Sequence, residues 1–250
     1  MTDVQRDDGV LDLLGLLAYA ELDAFFRLSQ DASLAPALAD KSALGEMAVA
    51  EFGHFQLLCR QISRLGAQPD QVMSPFVDAL DAFHARTAPA DWLEGLVKAY
   101  VGDGIAADFY RAVAQLVDPG TRALVLDVLA DTGHAEFVIA RVRRAIEADP
   151  QVAGRLALWA RRLVGEALAQ AHRVAAQRKP LADLLARSAA NQAASAQAAP
   201  GKAAPGKAAH GQAGAGQLGD VGRMFARITD SHAERMASLG LADWAPAPGG

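Results

Sequence analysis

Ala50-Glu51-Phe52-Gly53-His54 and Ala130-Asp131-Thr132-Gly133-His134 spell one phrase twice, Ala-acid-x-Gly-His. Each phrase stands inside a long run whose apolar residues recur at helical spacing. Leu44, Met47, Leu58 and Ile62 flank the first, and Leu124, Val128, Val138 and Val142 flank the second. An acid three residues before a histidine shares one face of a helix with it, and here that face is the apolar one. A further acid precedes each phrase at a similar distance: Glu21 lies 30 residues before Glu51, and Asp103 lies 28 before Asp131. Glu21 falls in the series Val10, Leu14, Leu17, Ala24, Leu28, and Asp103 in the series Trp92, Leu96, Ala99, Ala106, Tyr110. The chain therefore reads as a duplicated pair of helices, an all-α bundle with four carboxylates and two imidazoles turned toward its core.

Four carboxylates in one core are prohibitively costly unless cations compensate them. Two histidines do not balance four acids as simple ion pairs. Oxygen and imidazole donors in this ratio suit a pair of divalent or trivalent metal ions, held by Glu21, Glu51, His54, Asp103, Asp131 and His134. Asp108 competes with Asp103 on the same segment, but it neighbours Arg111 and Gln115 on a mixed face.

The rest of the sequence agrees with a helical protein. Of 250 residues, 52% are hydrophobic but only 6% aromatic, and alanine is abundant throughout, which favours helix over strand. The expected helices run over 8–29, 40–65 with Gly66 as cap, 74–86, 91–117, 118–148 and 150–178. Asp91 with Glu94, Asp118-Pro119 and Asp149-Pro150 mark three of the starts. In this reading 118–148 is one unbroken helix, with Asp131 and His134 near its middle. The domain expectation is a bundle over 1–187, a disordered Ala/Gly/Pro-rich linker over 188–217, and a C-terminal helix within 218–250 that docks on the bundle before a frayed tail. Inside the linker, Gly201 to Ala208 imitates a phosphate-binding loop but has Ala208 where the magnesium-binding hydroxyl belongs, and no strand precedes it.

The lone Cys59 excludes a disulfide framework and any multi-cysteine cluster. The N-terminus lacks the pattern of a signal peptide, and no segment has the length and apolarity of a membrane span, so a cytoplasmic protein is expected. His134-Ala135-Glu136 lacks the paired cysteines of zinc deaminases. Nine basic residues against three acidic ones between Arg141 and Lys179, in a chain of net charge -5, make a candidate face for RNA phosphates or simply a solvated basic surface.

With these motifs in place, the sequence resembles the ferritin-like di-iron carboxylate proteins, and within them the MiaE-like tRNA hydroxylases. The resemblance covers roughly residues 8 to 180 and includes the segment from Ala99 to Arg111 (AYVGDGIAADFYR). It implies a ferritin-like up-down four-helix bundle with additional C-terminal helices. It also implies a non-haem di-iron monooxygenase that uses dioxygen and an unidentified electron donor to hydroxylate the isoprenoid side chain of a modified tRNA adenosine. In such proteins the acid of each acid-x-x-His motif bridges two irons, here Glu51 and Asp131. Glu21 and Asp103 would be terminal ligands, and His54 and His134 would each bind one iron; manganese is the alternative metal. The family pattern has glutamate at all four positions, so Asp103 and Asp131 reach roughly 1.5 Å less far. The glycines before His54, His134 and Asp103 suggest close approach of the helices.

Two other readings stand beside the hydroxylase. One is a ferritin-like protein that stores iron, oxidises it or scavenges peroxide. The other is a metal-free helical interaction protein. His232 in the C-terminal helix shares that helix's apolar stripe, either as a core side chain or as a cover for the metal site.

Overall fold

The computed structural model describes residues 7–115, 117–130, 133–184, 186–187 and 229–242. Its helices are α1 (Asp8–Leu34), α2 (Leu38–Arg64), α3 (Pro69–Arg86), α4 (Trp92–Ala114), α5 (Pro119–Val128), α6 (His134–Ala148) and α7 (Gln151–Gln177). Further helical segments span 179–184 and 229–239, and no strand occurs among the described residues.

Most helix ends follow the sequence signals. The Asp7 carboxylate accepts from the Gly9 and Val10 amides to open α1. Asp91 accepts from the Glu94 amide at 2.9 Å, and Glu94 reaches back to the Ala90 amide at 2.8 Å, so α4 begins on a reciprocal cap. Asp118 and Pro119 open α5, and Gly66, at φ 76°, closes α2. α3 starts at Pro69 rather than Ser74. Pro69 occupies the first turn, where a missing N–H costs nothing, whereas Pro75 lies inside the helix and leaves the Gln71 carbonyl without its helical donor.

The expected helix over 118–148 is interrupted. α5 stops at Val128, and Gly133, at φ 96°, turns the chain into α6, whose first residue is His134. A left-handed residue ends helical propagation, and glycine adopts it at little cost. The second acid-x-x-His motif therefore does not sit in mid-helix like the first. Asp131 lies outside the described residues.

α1 and α2, joined by three residues, form an antiparallel pair. α4 packs on α1, on the broken pair α5–α6 and on α7, while α3 fits between α1 and α7. One continuous hydrophobic core runs between all of these helices, α3 and α7 included. Leucines 13, 14 and 17, with Leu44, Leu58, Ile62, Leu96, Val101, Val125 and Val142, are buried there. Half-buried ion pairs tie its periphery. Arg178 grips Asp12 through two hydrogen bonds of 2.5 and 3.1 Å, and Arg141 of α6 holds Asp40 of α2 at 2.7 Å. The helix over 229–239 buries Met236 and Leu239 in this core. Its Arg235 donates to the Gly104 carbonyl at 2.9 Å and pairs with Asp108. No helix among the described residues is long and apolar enough to cross a membrane.

Candidate metal centre

Helical spacing turns Glu21 of α1 and both Glu51 and His54 of α2 toward the same interior point. Their ligand atoms all lie within 4.8 Å of one another, the grouping a metal ion requires. His54 Nδ1 is 3.4 Å from Glu21 Oε2 and 3.3 Å from Glu51 Oε2. The other oxygen of Glu51, Oε1, faces His134 Nδ1 at 3.8 Å. Glu51 thus stands between two imidazoles, one oxygen toward each. Asp103 of α4, expected on the core-facing stripe, is instead exposed; it lines the same cavity of about 270 Å³ with Glu21, Glu51, His54 and His134, but it and His134 stand outside the three-residue cluster. Of the six residues singled out in the sequence, five converge on one cavity from four helices. The sixth, Asp131, is undescribed.

The electrostatics show how poorly this arrangement serves as an ordinary core. Burial drives the Glu21 carboxyl well above its usual range, and the facing Glu51 pushes it further. Burial also opposes ionisation of Glu51, but hydrogen bonds from Glu21 and His54 outweigh it and hold that carboxyl low. His54, whose ring faces the carboxylate of Glu21 and then that of Glu51, is raised to about 10 despite burial. Glu21 Oε2 is nevertheless buried without a hydrogen-bond partner. One proton and one imidazolium are what the cluster recruits to offset two adjacent carboxylates. A divalent ion would supply that charge directly, and the oxygen and nitrogen donors are those that iron or manganese accepts. The residues fit the group.

Several neighbours were not legible in the sequence. Arg235 lines the cavity wall, and a Cβ added at Gly104 would collide with its side chain. Gly104, two residues before Ala106 on the apolar stripe, is thus the glycine that close approach demands. Gly53 and Gly102 face open space instead, which overturns the expectation that they mark crowding. Asp108 is occupied by Arg235 and lies 3.9 Å from Arg111, which separates it from the site. His232 is buried with neither ring nitrogen hydrogen-bonded, and burial lowers its pKa; the C-terminal residue at the cavity is Arg235. Tyr110 is buried and lines the cavity, its hydroxyl kept protonated by burial and the charge of Glu21.

A helical bundle with a Glu-Glu-His cluster between its helices defines a ferritin-like protein. The chain belongs to the family described as the ferritin-like domain of actinomycetes, which matches residues 4–188. No curated protein matches the sequence.

Proposed function

We propose that this protein is a dimetal-carboxylate oxygenase, with two iron ions, or manganese in their place, held by Glu21, Glu51, His54, Asp103, Asp131 and His134. The observation that carries the reading is Glu51, whose two oxygens face two histidines from different helices, the disposition of a carboxylate shared between two ions. A bound metal pair would supply dioxygen reduction and oxygen insertion into a C–H bond.

The chain's own residues would set the conditions for that chemistry. Glu21 and Glu51 neutralise the metal charge in a buried site. Tyr110 retains its proton at the wall and is suited to donate rather than accept. A largely apolar cavity of about 460 Å³ adjoins the centre and shares Ala20, Ala24, Ala99, Asp103 and Tyr110 with it. An apolar space at the reactive centre favours hydroxylation of an organic substrate over storage of mineral iron.

The substrate implied by the sequence resemblance is the isoprenoid side chain of a modified tRNA adenosine, with electrons from a separate donor. Of the nine basic residues between Arg141 and Lys179, six hold carboxylates or backbone carbonyls of the fold: Arg141, Arg143, Arg155, Arg162, Arg178 and Lys179. An RNA surface there would combine those pairs with the remaining arginines.

The test is metal content after anaerobic loading with ferrous iron, for wild type and Glu51→Ala. About two ions per chain, lost in the variant, support the centre. Conversion of isoprenoid-modified tRNA to a hydroxylated product then tests the substrate. No tightly held metal in the wild type overturns the oxygenase and leaves a helical interaction protein. Metal with mineral release and no organic product leaves an iron-storage protein.

A further inference from the structure

The lining of the larger cavity holds two side chains that the fold leaves unsatisfied: His84, whose Nε2 faces Asp23 at 2.7 Å but whose Nδ1 has no partner, and Gln170, with no partner at either amide atom. Gln170 of α7 is 6% exposed, lines the cavity, and has neither its amide nitrogen nor its amide oxygen hydrogen-bonded. A buried amide without partners is costly, and each atom asks for the opposite kind of partner. A primary amide offers N–H donors and accepts at its oxygen, so a group that both accepts and donates satisfies it.

The shape and charge of the cavity restrict what can bring that group. Its lining on α4 extends from Gly95 to Tyr110, about 22 Å at the helical rise, so the space is long and, at about 460 Å³, narrow. The shared wall is alanine: Ala20 and Ala24 of α1 face Ala99 and Ala106 of α4. The charged groups in the lining cancel, Arg27 and Lys98 against Asp31 and Asp103. Lys98 is itself committed, with its ammonium donating to the Thr87 carbonyl at 2.8 Å and lying over the Phe83 ring. Arg27 pairs with Asp23 at 3.3 Å. A ligand with a net charge of either sign would be desolvated without a surplus of opposite charge to receive it.

We propose that this cavity is a binding site for an elongated, uncharged, mostly apolar small molecule bearing one hydroxyl or amide group, which hydrogen-bonds to the side chain of Gln170. The assignment does not depend on the metal centre, although the shared wall would bring such a molecule beside it.

The experiment is titration calorimetry of the full chain, stripped of metal by chelation, with 1-decanol, decanoate and decylamine. Decanol is expected to bind one per chain, at least tenfold tighter than either charged analogue. Gln170→Leu removes the amide at similar volume and without a buried unsatisfied group, so the variant should fold at least as stably as wild type. It is expected to bind decanol about tenfold more weakly, as loss of one buried hydrogen bond predicts. Ala171→Phe, which projects a ring into the same cavity, should reduce decanol binding further while leaving ferrous loading unchanged. No saturable decanol binding, equal or tighter binding of decanoate or decylamine, or unchanged affinity in Gln170→Leu overturns the proposal. Ferrous loading of the same preparations reports on the metal centre separately, so failure of either reading is seen without the other.

Discussion

Replacing Glu21 by leucine is expected to stabilise the metal-free protein and to abolish its metal binding. Glu21 is 8% exposed, its Oε2 has no hydrogen-bond partner, and it faces the carboxylate of Glu51. A buried polar atom left unsatisfied costs about 1–3 kcal/mol, and leucine extends the apolar series of Leu14, Leu17 and Leu28. Against this stands the contact of the same Oε2 with His54 Nδ1 at 3.4 Å, longer than a good hydrogen bond and so worth about 1 kcal/mol. The balance is a gain of up to about 2 kcal/mol, or up to roughly 8 °C in Tm for a domain of this size. The gain carries a pH signature. A carboxyl raised by folding weakens the fold as pH climbs above its ordinary value of 4.5, so the advantage of leucine should grow over that climb. The assay is thermal unfolding followed by far-UV circular dichroism, with chelator and after anaerobic ferrous loading. Wild type should gain stability on loading, and Glu21→Leu should not. A lower Tm for the variant in chelator would refute the reasoning, because Glu21 would then be a structural partner of His54 instead of a ligand held at the expense of stability.

Three further outcomes are expected. In the metal-free protein the His54 imidazole is raised from 6.5 to about 10, so its stabilisation is complete below 6.5 and lost as pH rises through 10. Denaturant titrations across that window should show stability falling in wild type, with a shallower fall in His54→Asn; identical slopes would count against the pairing. Gly53→Ala should stabilise the protein by up to about 1 kcal/mol, since its Cβ meets open space. Gly15→Ala should instead cost about 1–3 kcal/mol, because the new methyl meets the backbone of Val72; chemical unfolding of both variants checks the contrast. Arg235→Ala should destabilise the protein by about 2 kcal/mol through loss of the contacts to Asp108 and Gly104. Faster amide exchange confined first to residues 229–239 would mark release of that helix, and unchanged exchange there would show that Arg235 does not hold it.

The helical class, most helix starts and the identity of the converging side chains were determined by the sequence, because they depend on local chemistry. Periodicity places Glu21, Glu51 and His54 on inward faces, and the caps at Asp7, Asp91 and Asp118 act within a few residues of themselves; the same periodicity put Asp103 in the core, and the fold leaves it exposed at the cavity. Only the tertiary structure decided that the two repeats differ in shape. Gly133 can extend a helix or end it, and only the folded chain shows it left-handed at the start of α6, after α5 has ended at Val128. Tertiary structure also decided that Glu51 faces both histidines, since that relation joins α2 to α6 across 83 residues of chain. Arg235 at Gly104 and the unsatisfied amide of Gln170 were hidden for the same reason. A long side chain or an interior amide carries no periodic signal, and its role is set by whichever distant residues the fold leaves beside it.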